Sequence, residues 1–297
     1  MRFPRIDFMS KRWIGFAISA VLILIAVGSL VFRGLNFGIE FQGGTVITLT
    51  NTSATIDKVR AAATDAGVVN PALQTTSRGF IIRTGETDTV VAEEQASKLA
   101  TALGIASTDT QVSTIGPEWG ASITNSALIA LAVSMLAILA YISIRFEYKM
   151  ALTGVFALVH DAVITLGIYS LVGREVGPNT VAALLTILGY SLYDTIVVFH
   201  RIRENTASLS KTTFMNMAND SLNQVFARWV NTGMASIIPV VSLLLIGGTT
   251  LKDFAFALTV GLISGAYSSV AVASPLYAMW KEREPRYKAL RKKFADR

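Results

Sequence analysis

Asp194 stands within residues 189–199, GYSLYDTIVVF, a run otherwise apolar enough to enter a lipid bilayer. An ionised carboxylate at that depth costs about 2.5–3.5 kcal/mol even on lenient insertion scales, so such acids face a protein interior, where they carry or bind ions. Tyr190, Asp194 and Val197 or Val198 recur at three- and four-residue spacing and share one helical face, with Arg201 a further turn on. Small residues at Gly189 and Ser191 would let a second helix approach closely, leaving Asp194 at a helix seam with room for water. The chemistry open to this face is exchange of a proton or another cation. The structural alternative is a carboxylate that only hydrogen-bonds a neighbouring helix.

A second constellation, His160-Asp161, falls near the middle of another apolar stretch. Asp161 and Thr165 share a face, and His160 turns about 100° towards another. Both side chains give and take protons, so they could lengthen a proton path or brace one helix against the next. Ligand spacing such as His at i and i+4 is missing, so no metal site is expected. Arg228, at the edge of a later apolar stretch, reads on its own as a side chain snorkelling to the headgroups. No GxxxxGK[ST] loop and no nucleophile-base-orienter set occurs, so neither ATP hydrolysis nor another enzymatic activity is expected. No cofactor is implied, and work would draw on an ion gradient.

The elements that must position these residues are membrane helices. Of 297 residues, 52% are hydrophobic and only 15% charged, too apolar a balance for an ordinary soluble domain. With no cysteine, disulfide and thiol chemistry are excluded. A window of about 20 apolar residues predicts six transmembrane helices, at 13–32, 123–144, 150–172, 180–199, 229–246 and 254–279. The first is too long for the apolar core of a signal peptide and reads as a retained anchor. Pro239 should kink the fifth helix, and Gly261 with Gly265 makes a GxxxG packing face in the sixth.

Basic residues set the expected orientation. Arg2, Arg5, Lys11 and Arg12 precede the first span, Arg201, Arg203, Lys211 and Arg228 lie between the fourth and fifth, and the tail 280–297 runs from Lys281 to Arg297. The opposite loops carry only Arg174 and Lys252, which predicts both termini, 1–12 and 280–297, on the cytoplasmic side. The basic tail reads as satisfying topology and touching anionic lipid headgroups, the alternative being a dedicated partner site, and nucleic acid is not implied.

Residues 33–120 are polar and periodic and should form a small exterior domain. A first strand is read at 38–49, interrupted by Gly43-Gly44, a pair that marks a bulge or close backbone approach. Thr55 starts a helix bearing Ile56, Val59 and Ala63, with Gly67 just past its end. Strands at 72–76 and 80–84 flank Ser77-Arg78-Gly79. Asp88 caps a second helix that stops at Gly104, and a last strand covers 110–115. The order β-α-β-β-α-β predicts a ferredoxin-like α+β fold. Glu86, Asp88, Glu93 and Glu94 read as a solvated face at a helix start rather than as acid/base groups.

Taken with Arg201-Ile202-Arg203-Glu204-Asn205, the segment Gly189-Tyr190-Ser191-Leu192 through Asp194-Thr195 resembles the fourth-helix signature of SecF, in the SecD/SecF family of bacterial protein-export membrane subunits. Phe41-Gln42-Gly43-Gly44, His160-Asp161, Arg228 and Ala273-Ser274-Pro275-Leu276 agree with it. The resemblance implies half of an RND-type transporter bundle in the bacterial inner membrane. It also implies SecD as heterodimer partner, the SecYEG translocon and preproteins as further partners, and the proton-motive force as energy source, with sodium conceivable instead. By position, Asp194 would carry protons across the membrane and Arg228 would be coupled to it, which replaces the snorkelling reading. Tyr193 and His200 depart from the family's usual Asn and Asp. Tyr193 points about 100° away from Asp194, whereas His200, near the cytoplasmic end, could hand protons in. Two other classes stay open: an RND-like carrier of lipids or small molecules, and a structural subunit that holds an assembly together.

Overall fold

The computed structural model describes residues 4–76 and 78–294, so Arg2, Ser77 and Arg297 of the readings above lie outside the described residues. In chain order the main elements begin with helix α1 (Arg12–Arg33), strand β1 (Gly44–Thr50), helix α2 (Ile56–Asp65), strands β2 (Ala72–Thr76) and β3 (Gly79–Thr84), helix α3 (Thr89–Leu103) and strand β4 (Thr110–Ile115). Helices α4 (Pro117–Arg145), α5 (Tyr148–Val172), α6 (Pro178–Ala207), α7 (Phe214–Ile246), α8 (Thr249–Ser268), α9 (Ser274–Glu282) and α10 (Pro285–Phe294) follow. The chain divides into two compact units. Residues Phe37–Ile129 form one, and those up to Asn36 and from Ala130 onward form the other, the division falling within α4.

In the smaller unit the sheet runs β2-β3-β1-β4 with every neighbouring pair antiparallel. Alternation along β1 turns Thr45, Ile47 and Leu49 inward, where Ile47 and Leu49 meet Val59 and Ala63 of α2, Phe80 and Ile82 of β3, and Leu99 of α3. The strand read at 38–49 starts only at Gly44, because Ile39–Gln42 form a short helix that ends at Gly43 with φ 77°, and Gly44 opens β1 at φ 127°. A Cβ on Gly44 would be driven against the Thr84 carbonyl of the paired strand, so the glycine pair is needed for close backbone approach. Asp88 accepts hydrogen bonds from the Val90 and Val91 N–H groups and caps α3 as expected. Thr55 occupies the corresponding position before α2 but makes no capping bond with its side chain. Glu94 pairs with Lys98 at 2.7 Å, and the hydrogen bond and charge of Lys98 hold its carboxyl below the usual range.

Among the described residues, six helices are long and apolar enough to cross a membrane: Arg12–Arg33, Pro117–Arg145, Tyr148–Val172, Pro178–Ala207, Phe214–Ile246 and Leu251–Glu282. The last combines α8 and α9 through a π-helical turn, Ser269–Ala273, which the sequence reading missed. The fifth begins at Phe214, well before the predicted 229. Arg228 is therefore inside a helix rather than at its start, because a hydropathy window finds the span and not the polar turns that extend it. The tail forms α10, whose Tyr287 is buried against Phe214 at a ring separation of 4.8 Å.

Small residues set the seams. A Cβ on Gly261 would collide with Ile187 and one on Gly265 with Ser191, so the GxxxG face of α8 packs on α6. Gly167 of α5 meets Ala26 of α1 in the same way, and Ser29 and Ser170 hydrogen-bond across that seam at 2.8 Å. Gly189, by contrast, has open space around it, so of the pair read as small residues for close approach only Ser191 serves. Gly265→Val is accordingly expected to lower stability by about 1–3 kcal/mol through overpacking. Gly189→Ala, whose methyl meets open space, should leave it unchanged or raise it by up to about 1 kcal/mol, and thermal unfolding of the two variants in detergent checks the contrast.

Candidate functional site

Two buried carboxylates, Asp161 of α5 and Asp194 of α6, stand in opposite circumstances, the first of them at the seam joining α5, α6 and α8. Asp161, inaccessible to solvent, accepts from Ser191 Oγ of α6 at 2.7 Å and from Ser264 and Ser268 Oγ of α8 at 2.7 and 2.8 Å. His160 Nδ1 approaches it at 3.1 Å, so the two side chains meet although adjacent residues on a helix diverge. Ser264 and Ser268, four residues apart, present both hydroxyls to one point because residues at that spacing share a face. Three helices thus converge on one carboxylate, and all four contacting groups can donate to it.

Asp194 lies one turn beyond Ser191 on α6 and is only 4% exposed. Among the described residues nothing donates a hydrogen bond to it, and its Oδ2 is buried without a partner, as is Nε2 of His160. An unpaired carboxylate oxygen in such a place loses its hydration without compensation. The helix around it is nonetheless firmly placed. Thr195 Oγ1 and Ser269 Oγ share a hydrogen bond of 2.8 Å, Ser269 also donates to Gly265 O at 2.9 Å, and Tyr190 donates to the Thr232 carbonyl of α7 at 2.9 Å. The π-helical turn begins at Ser269, within this polar cluster, a position where such turns often mark functional sites. Asp194 can therefore take up or release a proton without breaking a hydrogen bond, while Asp161 is fixed.

A cavity of about 560 Å³ between α6 and α7 is lined by Val197, His200, Arg201, Gln224 and Arg228, among others. Val197 is one turn from Asp194. Arg228 is exposed to this cavity and, among the described residues, makes neither an ion pair nor a side-chain hydrogen bond, so no ion pair within 4 Å joins it to Asp194. Half-exposed His200 approaches Glu204 Oε1 at 3.7 Å, and Arg201 pairs with Glu204 at 2.9 Å. Tyr193 is 52% exposed, turned away from the seam as its position on the helix requires.

Of the residues singled out in the sequence, His160, Asp161 and Ser191 come together at the seam, Tyr190 bonds to α7, Asp194 lies one turn from both Ser191 and Tyr190, and His200 and Arg228 line the cavity between α6 and α7. Gly43 and Gly44 belong to the smaller unit, where they shape β1. Ser264, Ser268 and Ser269 were not foreseen. Their signal was available as hydroxyls at helical spacing inside an apolar span, next to the glycines that bring the helices close.

Residues 95–283 match the profile described as protein export membrane protein SecD/SecF, C-terminal, and residues 28–50 match the SecD/SecF GG motif. The chain is 41% identical over 297 residues to the protein translocase subunit SecF of Streptomyces coelicolor, covering 97% of this chain and 80% of that one. It is 36% identical to the SecF of Calditerrivibrio nitroreducens, covering 95% and 96% respectively. Among solved structures, SecDF of Thermus thermophilus, described as a translocon-associated membrane protein, superposes with a TM-score of 0.88 at 32% identity. The similarity covers 95% of this chain and 40% of that longer chain. A super-membrane-facing form of SecDF gives a TM-score of 0.71 at the same 32% identity.

Proposed function

The chain belongs to the SecD/SecF family of protein-export membrane proteins, on its SecF side, and from that premise we propose that it couples the proton-motive force to preprotein export. It pairs with SecD and acts at the SecYEG translocon in the bacterial inner membrane. The observation that carries this reading is Asp194, a membrane-embedded carboxylate with a buried, unpartnered oxygen. Such a group changes protonation at low structural cost, and a proton moving through the membrane potential supplies about 2.3 kcal/mol per 100 mV. Protons enter through the cavity bearing His200 and Arg228, with Arg228 as the mobile countercharge of Asp194 and His160 as a further step on the path. Sodium is the other ion this seam could admit.

In this reading both termini are cytoplasmic, six helices form half of an RND-type bundle, and the smaller unit is a ferredoxin-like domain on the far side that meets the emerging chain. Protonation of Asp194 biases the bundle between two states. The protein needs no cofactor and catalyses no covalent step. A purely structural role is the second reading, favoured by the serine cage that ties three helices to Asp161. The test is export of a reporter preprotein in cells depleted of their own SecF and supplied with this chain and its matching SecD. Restored export is expected, and export no better than in cells lacking the chain would overturn the proposal.

A further inference from the structure

At the end of the bundle where α5 begins and α9 ends, an open groove of about 410 Å³ runs between the two helices. One wall is Leu276, Met279, Trp280 and Arg283, spaced as one face of α9 and its C-cap, and the other includes Leu152 and Phe156 of α5. Leu152 and Phe156 are 47% and 55% exposed, so the floor is apolar and uncovered. Two turns of helix separate Phe156 from Tyr148, a depth of about 12 Å at 1.5 Å per residue. Tyr148 and Trp280 pack edge to face at 6.0 Å at the rim, the pairing of aromatic side chains that suits the boundary between hydrocarbon and headgroups.

The charges at this rim are unevenly matched. Lys149 Nζ lies 2.8 Å from Glu284 Oε1, and Lys281 Nζ lies 2.8 Å from Glu147 and 3.0 Å from Glu284. Arg291 reaches Glu282 at 3.7 Å. Burial opposes the charge of Glu284, but hydrogen bonds from Lys149 and Lys281 outweigh it and hold its carboxyl below the usual range. Every acid of this cluster is thus engaged by another cation. Arg283 is exposed, makes no ion pair and no side-chain hydrogen bond among the described residues, and stands where the apolar groove meets the rim.

We infer that this groove is a binding site for a phospholipid with an anionic headgroup, an acyl chain lying along Leu152, Phe156 and Leu276 and the phosphate meeting Arg283. An apolar trough alone would accept any lipid chain. The guanidinium at its mouth holds phosphate in a bidentate geometry that an ammonium cannot reproduce, and it favours net negative charge because the quaternary ammonium beside the phosphate of phosphatidylcholine offsets the attraction. The site is distinct from general attraction by the basic helix α10, whose Lys292 and Lys293 lie outside the groove lining.

The full-length chain, purified in mild detergent, would be given phosphatidylglycerol or phosphatidylcholine of identical acyl chains, and bound lipid counted by native mass spectrometry. One phosphatidylglycerol retained at about five-fold preference is expected, the factor that one interfacial cation contributes. Arg283→Gln should erase the preference, and Leu276→Trp, which fills the trough, should remove lipid of both kinds. Lys292→Gln with Lys293→Gln should keep both the lipid and the preference. Circular dichroism of each variant checks that it is folded. Equal retention of the two lipids by the native chain, an unchanged preference in Arg283→Gln, or its loss in the tail variant would each overturn the site.

Discussion

Asp194→Asn is expected to insert at the native level and yet leave preprotein export no better than in cells lacking the chain. Asparagine keeps the shape of the side chain but cannot exchange a proton. Among the described residues no group donates a hydrogen bond to Asp194, so the substitution breaks none. It also removes a group whose ionised form is disfavoured by about 2.5–3.5 kcal/mol in a membrane span. The thermal midpoint in detergent should therefore be unchanged or higher while export is lost. This combination separates the two readings, because a residue serving only assembly would tolerate an isosteric, uncharged replacement. Pulse-labelling of a secreted reporter alongside a melting curve provides both readouts. Native export by Asp194→Asn would assign the acid to structure and remove the proposed coupling.

The opposite pattern is expected at Asp161. Removing its carboxylate in Asp161→Ala leaves the Ser191, Ser264 and Ser268 hydroxyls without their shared acceptor, and His160 Nδ1 with them. Hydrogen bonds to charged groups contribute about 1.5–3 kcal/mol each in soluble proteins. Interhelical ones in membranes average nearer 0.6 kcal/mol, since the freed groups find other partners. Ser268 already has one such partner in the Gly265 carbonyl at 3.2 Å. With three hydroxyls released, a loss of roughly 2–4 kcal/mol follows. Asp161→Asn should lose about half of that, because its amide nitrogen can donate to hydroxyls that turn to accept. Unfolding of the purified variants in mixed micelles measures the difference. A midpoint for Asp161→Ala equal to the native one would mean that the cage does not hold the three helices together.

Arg228 illustrates what a linear reading passes over. The apolar window ends beside it, which suggested a helix start, but α7 begins at Phe214 and places Arg228 inside the helix, on a cavity shared with α6. Likewise the tail read as a string of basic residues at the membrane surface, whereas burial of Tyr287 docks α10 on the bundle.

The apolar stretches, the order of strands and helices between the first two, and the improbable presence of Asp194 in hydrocarbon were all legible from the chain alone. They rest on local quantities: the length of an apolar run, the period of a pattern, the transfer cost of one side chain. The fates of the two acids were not legible. Asp161 is satisfied by hydroxyls that lie far along the chain, and Asp194 is left unpaired although Ser191, one turn away, donates elsewhere. Sequence determines where a carboxylate enters the membrane, but hydrogen bonding is a property of pairs. Only the packing of Gly261 and Gly265 against α6 decided which carboxylate the serines reached.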